Sequence, residues 1–200
     1  MDKERFQKQL SFIMEIDKEK QILRQTHLSN GGRRENDSEH AWHMAIMICL
    51  LQEYANEPID LAKTMLMVLT HDLVEIDAGD TYAYDPKGAA TQRDRERKAA
   101  DRIYGLLPDD QRDYLRSLWE EFEAYETAEA RFAHVMDNFQ PMLLNDSNDG
   151  GDWRSHGVHR SQTEKRNAKT HTGSEEIWEY MKTILDKHVA KGNLKDEVSI

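Results

Sequence analysis

Four side chains have the type and order to hold a metal ion: His40, the adjacent pair His71-Asp72, and Asp137. Imidazole nitrogen and carboxylate oxygen together suit a borderline divalent ion such as Mn, Co, Fe, Ni or Zn, with Mg possible, whereas structural zinc usually recruits cysteines. The chain has a single cysteine, Cys49. Glu75 follows the pair; at 3.6 residues per turn it lies one turn beyond His71 and three residues from Asp72, so all three can share a face. They interrupt the apolar helical pattern of Leu61, Met65, Leu66, Leu69 and Leu73, where adjacent polar groups need partners because burying an unpaired charge is costly. Each residue alone has a plainer reading, His40 as a helix cap and Asp137 as a partner of Arg131 or His134. The ordered set on separate helices argues for a metal.

The elements that must position these groups read as helices. With 38% hydrophobic and 32% charged residues, and only 4 prolines and 10 glycines, the composition favours an all-α chain. Phe6, Leu10, Ile13, Met14 and Ile16 predict an amphipathic first helix, and Ser29-Asn30-Gly31-Gly32 a break. Asn36 and Glu39 have capping-box spacing before a long helix to about Tyr54, whose buried stripe is Ala41, Met44, Ala45, Ile48, Leu51 and Ala55, with Trp42 and Cys49 also read as packing. The next helix, Asp60 to about Ile76, carries the His-Asp pair. Thr81 to Ala90, with Asp85-Pro86, reads as a flap-like loop, and Gln92 to Leu107 as a solvated helix with Ala99, Ala100 and Ile103 inward. Pro108-Asp109 starts a helix to about Tyr125, Thr127 caps the helix that carries Asp137, and Pro141 with Asn145 to Gly151 marks a substantial loop. A last helix, Ser174 to Lys191, closes on Gly192. Residues 1–200 read as one domain, a helical core over about 4–142 followed by a C-terminal loop and helix over about 143–192.

Charge and cysteine usage exclude some classes. A net charge of −11 argues against nucleic-acid polymers, whose phosphates demand a basic face, but leaves room for a small phosphorylated ligand held by a local cluster of cations. Ala45 to Leu51 is far too short to span a bilayer, and Met1 to Arg5 lacks an apolar leader, so no membrane partner and a cytoplasmic setting are expected.

The set His40, His71-Asp72 and Asp137 resembles the signature of the HD superfamily of metal-dependent phosphohydrolases. Arg34 to His40, His71 to Glu75 and Gly79-Asp80 resemble its small bacterial 5′-deoxynucleotidase-like branch, and His159 to Trp178 resembles the C-terminal segments of small HD hydrolases. The resemblance implies an HD-type helical domain with one metal held by those four residues, a small phosphorylated substrate such as a nucleotide, and a homodimer. Superfamily members with two metals carry extra histidines between the pair and the last Asp; here only His134 falls there.

On that reading Glu75 orients or deprotonates the attacking water, or instead holds His71 in place as a partner; Asp80 protonates the leaving oxygen or binds a sugar hydroxyl. Phosphate requires positive charge, for which Arg34 and Arg24 are the leading candidates, followed by Arg33 and Arg166, with Lys20 and Lys169 as further possibilities. The expected activity is hydrolysis of a small phosphate monoester, a (deoxy)nucleoside 5′-monophosphate. Alternatives are cleavage of a phosphodiester or pyrophosphate bond, or a non-catalytic metal- or nucleotide-binding regulator.

Overall fold

Side-chain caps start the main helices where the sequence supplies an oxygen to meet the unpaired N–H groups of a first turn. Asp2 caps α1 (Lys3–Ile16), Asp60 caps α3 (Leu61–Thr70), Thr127 caps α7 (Ala128–Ser147) and Ser174 caps α10 (Glu175–Ala190). Asn36 and Glu39 form a reciprocal capping box at the start of α2 (Asp37–Leu51). The remaining helices are α4 (Glu75–Ala78), α5 (Pro86–Tyr104), α6 (Asp109–Ala124), α8 (Gly151–His156) and α9 (Arg160–Arg166). This is a computed structural model describing residues 1–84 and 86–196, so Asp85 lies outside the described residues. The architecture is all-α but for one small hairpin.

That hairpin, β1 (Leu23–His27) paired antiparallel with β2 (Arg34–Asn36), occupies a stretch whose pattern predicts only loop. Its residues are mostly polar, so no two-residue alternation betrays it. Gly31, at φ 69°, lets the connection turn, and the N–H groups of Leu28 and Gly31 donate to the carbonyls of Arg33 and Leu28.

The His-Asp pair does not sit on a straight α-helix. The Thr70 hydroxyl donates to the Leu66 carbonyl at 2.9 Å, a back-bond that competes with the main-chain ladder, and α3 ends there. Residues His71–Val74 tighten into a 3-10 turn, which puts Asp72 and Glu75, three apart, above one another. Gly79, at φ 73°, ends the short α4 that follows.

Several other expectations are corrected. α5 begins at Pro86, so the loop after Asp80 is shorter than predicted. Pro141 does not end α7, which runs on to Ser147; it lacks an N–H for the Asp137 carbonyl, and the helix absorbs that loss within a packed environment. α1 buries only Phe12, leaving Phe6, Leu10, Ile13 and Met14 exposed. α3 buries Thr64, Met67 and Val68, while Leu69 is exposed. Trp42 and Cys49 face outward rather than into the core.

Two apolar clusters flank the His71–Val74 turn. The larger joins Met44 and Ile48 of α2, Met67 and Val68 of α3, and Phe132, Met136 and Phe139 of α7 to Trp153, Ile177, Met181 and Leu185 of the C-terminal segment. The smaller joins Phe12, Leu73 and Val74 to Ala99, Ala100, Ile103 and Tyr104 of α5 and to Trp119. The Tyr104 hydroxyl donates to the Thr70 carbonyl at 3.0 Å, fixing the end of α3 against α5. The turn is thus gripped from both sides, a rigid mount for the side chains it presents.

Candidate metal centre

The first turn of α2, the turn after α3 and the middle of α7 bring the four candidate ligands together. One ligand atom from each of His40, His71 and Asp72 lies within 4.8 Å of the others. Asp137 joins them from α7, its Oδ1 standing 3.2 Å from His40 Nε2. Both imidazoles are oriented from behind. His71 Nδ1 donates to the Val68 carbonyl at 2.8 Å, and His40 Nδ1 donates to Gln140 Oε1 at 2.9 Å. Gln140 is itself fixed by donating its amide to Glu35 at 2.7 Å, which assigns its oxygen to His40. With Nδ1 held as the donor, each Nε2 faces the site and presents a lone pair whenever its ring is neutral.

Those lone pairs face oxygen. His71 Nε2 is buried without a hydrogen-bond partner, yet lies 3.0 Å from Asp72 Oδ1. Nitrogen and oxygen at such distances need a positive charge between them, a proton on the imidazole or a bound ion, and separations of about 3.0–3.4 Å are also those of neighbouring ligands around an ion bound at about 2.1 Å. Nitrogen and oxygen donors without thiolate complete the fit to a divalent transition ion.

The titration behaviour shows the same demand for cation. Burial drives His40 down to about 4, with Arg24 adding to it. Burial acts the same way on His71, but Asp72 outweighs it and pushes the imidazole up to about 9. Burial opposes ionisation of Asp72, but His71 and Arg24 hold it near 2. Asp137 is also held low against burial, chiefly by His40 and Arg166. Beside them, burial and the charges of Asp72, Asp37 and Asp80 push Glu75 up to about 11, and its Oε2 has no partner. Asp37, wholly buried, is pushed up to about 8 by burial and Asp72, and Asp80 is raised by burial.

The principal buried counter-charge is Arg24 of β1. Its Nη1 donates to Asp72 Oδ2 at 3.0 Å and to Asp37 Oδ1 at 3.4 Å, and its Nη2 lies 3.9 Å from Asp137 Oδ1. Burial would lower its pKa; those carboxylates raise it well beyond the usual arginine range. Arg166, on α9, approaches Asp137 from the other side, with Nη2 3.7 Å from Oδ2. Both arginines line a cavity of about 600 Å³ that also reaches His71, Asp72, Glu75, Asp80 and Asp137.

Other expected phosphate ligands lie elsewhere. Arg33 pairs with Glu39 on the surface, Arg34 is exposed on β2, and Lys20 pairs with Asp17 in the turn after α1; none of the three lines the cavity. Lys169 does line it, stacked over the Tyr125 ring at 5.1 Å. Asp77 is engaged with Arg102 at the surface.

Sequence reasoning missed several contributors. Asp37 and Glu35 lie in the stretch read as loop and cap before α2, but both are buried, Glu35 3.7 Å from His40 Nδ1 and Asp37 against Arg24. Gln140 was legible in principle, a polar residue in the inward stripe of Phe132, Val135, Met136 and Phe139. Aromatic cavity walls come from Tyr82, Tyr84, Phe122, Tyr125 and Trp153. His134 stacks between Phe122 and Tyr125 at 3.8 and 4.2 Å, and its Nε2 donates to the Phe122 carbonyl. Burial pushes it down to about 4, so it faces the cavity as a neutral ring.

An all-helical fold that converges His, His-Asp and Asp on one point defines a class, and residues 16–178 match the family model of the HD domain. The chain belongs to the HD-domain family. It is similar to the human 5′-deoxynucleotidase HDDC2, 32% identical over 114 residues covering 57% of this chain and 54% of that protein. It is also similar to the same enzyme from Danio rerio, 31% identical over 109 residues covering 54% and 53%. The match thus spans about half the length of these curated relatives. The crystal structure of a predicted metal-dependent phosphohydrolase from Magnetospirillum magnetotacticum MS-1 superposes with a TM-score of 0.90 at 48% identity, covering 95% of each chain. Among the described residues no helix is long and apolar enough to cross a membrane.

Proposed function

We propose that the protein is a metal-dependent phosphohydrolase that converts a small phosphate monoester, a nucleoside or deoxynucleoside 5′-monophosphate, into the alcohol and inorganic phosphate. His40, His71, Asp72 and Asp137 hold one divalent ion; the two imidazole donors favour Mn, Co, Fe, Ni or Zn over Mg. When bound, such an ion polarises a phosphoryl oxygen and acidifies water. The remaining work falls to the chain's own groups.

Glu75 takes the proton of the attacking water. Burial and the neighbouring carboxylates favour its protonated form; a bound cation, by offsetting those charges, would free the carboxylate to accept a proton. Asp80, whose protonated form burial favours, serves the leaving alcohol oxygen or binds a sugar hydroxyl. Arg24 and Arg166, on opposite sides of Asp137, receive the phosphate charge. The cavity of about 600 Å³ has room for a mononucleotide, with aromatic walls for its base. The nucleotide choice also draws on the likeness to the curated 5′-deoxynucleotidases.

The observation that carries this reading is the meeting of two buried polar atoms without hydrogen-bond partners, His71 Nε2 and Glu75 Oε2, with two guanidinium groups around one cavity. Phosphate release from ribo- and deoxyribonucleoside monophosphates and sugar phosphates, with Mn, Co, Zn or Mg added, tests it. Metal-stimulated release of nucleoside and phosphate is expected. No release from any monoester, or release only from diesters or pyrophosphates, overturns it.

A further inference from the structure

The strap that leaves α4 and carries Asp80 into the cavity has a loose stem. Gly79, at φ 73°, is a hinge with no atom within 4 Å of the place where a Cβ would stand. No hydrogen bond among the described residues fixes the Asp80 carboxyl itself. Further along, Tyr82 rests its ring against His156 at 4.9 Å and Tyr84 at 5.4 Å, so the far end of the strap reaches α8.

Arg95 of α5 grips the stem. Its Nη1 donates to the Ala78 carbonyl, just before the hinge, and its Nη2 donates to the Thr81 hydroxyl, just after Asp80, at 2.7 Å. The same Nη2 lies 3.5 Å from the Gly88 carbonyl, and Nε donates to Thr91 Oγ1 at 3.4 Å, both within α5. One planar group thus spans Gly79-Asp80 from both sides, which needs donors fixed in a fork rather than a single ammonium. Through Ala99, Ala100 and Ile103, α5 shares one apolar cluster with Leu73 and Val74, on the turn that presents His71 and Asp72. The position of Asp80 is therefore referred to the mount of the metal ligands.

We propose that Arg95 is a positioning residue, the clamp that sets where Asp80 stands in the cavity. It belongs to the densest charge run of the chain, Arg93 to Lys98, where charge ordinarily faces solvent, and Arg93 and Arg97 are indeed exposed. Arg95 instead turns to the strap, and its contacts with carbonyl and hydroxyl oxygens fix backbone where a surface ion pair would only offset charge. What Asp80 does once placed rests on the phosphohydrolase reading above; the placement does not.

Limited digestion with chymotrypsin reads the placement, and kinetics reads its consequence. In folded, metal-loaded Arg95→Ala, cleavage after Tyr82 or Tyr84 should quicken by about tenfold or more, while Arg97→Ala should match wild type. kcat/KM for a nucleoside monophosphate should fall by roughly 10–10²-fold in Arg95→Ala, through whichever of kcat and KM Asp80→Asn itself changes. Added to Asp80→Asn, the same substitution should cost less than about twofold, because the clamp then has no carboxyl to place. Should Arg95→Ala fail to fold, Thr81→Val removes the acceptor of Nη2 alone and should give the same signature at smaller amplitude. Unchanged cleavage of the strap in a folded variant, or an Arg95→Ala loss that persists in full on Asp80→Asn, overturns the proposal. If wild type hydrolyses no phosphate monoester, the function proposed above falls, and the digestion alone decides this one.

Discussion

The floor of the cavity and its rim are built on opposite principles. On the floor, Asp72, Glu75 and Arg24, with His40 and Asp37 packed beneath them, are buried or nearly so, mounted on α2, on β1, on the turn after α3 and at the start of α4, and charged groups face one another with little solvent between. At the rim, Arg166 and Lys169 are exposed and come from α9 and the segment after it, while Tyr82 and Tyr84 come from a loop. The difference teaches where each kind of change should register. A floor residue holds the charges of several neighbours at once, so its loss propagates through them, whereas a rim residue acts mainly on whatever enters.

The largest effects should come from the ligands. His71→Ala or Asp72→Ala should abolish metal content, measured by elemental analysis of the purified protein, and with it metal-stimulated phosphate release. Full activity in a variant without bound metal would break the assignment of the floor as a metal centre. Glu75→Gln separates holding from turning over: metal content should persist while kcat falls by roughly 10²–10⁴-fold, the usual worth of a general base. An unchanged kcat would relegate Glu75 to orienting a ligand.

Arg24→Ala tests the floor through stability. Asp72, Asp37 and Asp137 would lose their shared counter-charge, an outcome that costs about 3–5 kcal/mol when a buried pair is broken. Thermal denaturation should show a large fall, and Arg166→Ala almost none. Comparable effects from both would erase the distinction drawn here.

Glu19 gives the floor a pH signature. Burial pushes its carboxyl up to about 7, and it accepts from Ser38 at 2.9 Å. The folded state therefore binds that proton more tightly than the unfolded chain does. Its stabilising contribution is full below about 4.5 and is lost as pH rises through about 7. Glu19→Gln should match wild type at pH 4.5 and exceed it at pH 8 by up to ~3 kcal/mol in urea denaturation, at about 1.4 kcal/mol per tenfold change in proton affinity. Equal curves would show that this carboxyl ionises as freely as in solvent.

The smallest effect belongs to the rim. Arg166→Ala should raise KM for a monophosphate by roughly 2–10-fold with kcat little changed, as expected when binding common to ground and transition states is removed. A fall in kcat alone would move Arg166 into the reacting constellation.

The four candidate ligands were legible because metal chemistry restricts residue type and helical periodicity restricts placement. Caps such as Asn36 and Thr127 are legible for a similar local reason, since each bonds an N–H three residues on. The hairpin was not. Its strands are polar, short and held by partners on the turn after α3 and on α8, as with Arg24 on Asp72 and His27 on Asp152. For want of it, Arg34 reads as well placed as Arg24, with Arg33 next. Asp37, Glu35 and Gln140 escaped notice because their role lies behind the ligands, set by contacts across as many as 105 residues of chain.

The sequence by itself determined the all-helical class, the helix starts, and the identity and order of the groups fit to hold an ion. These depend on local spacing and on the chemistry of individual side chains. Only the tertiary structure decided which arginines reach the cavity, that Thr70 breaks the ligand helix into a tighter turn, and that the outer face of α2 remains uncovered. Those outcomes depend on which distant segments pack together, and burial and charge act through that packing rather than through neighbours in the chain.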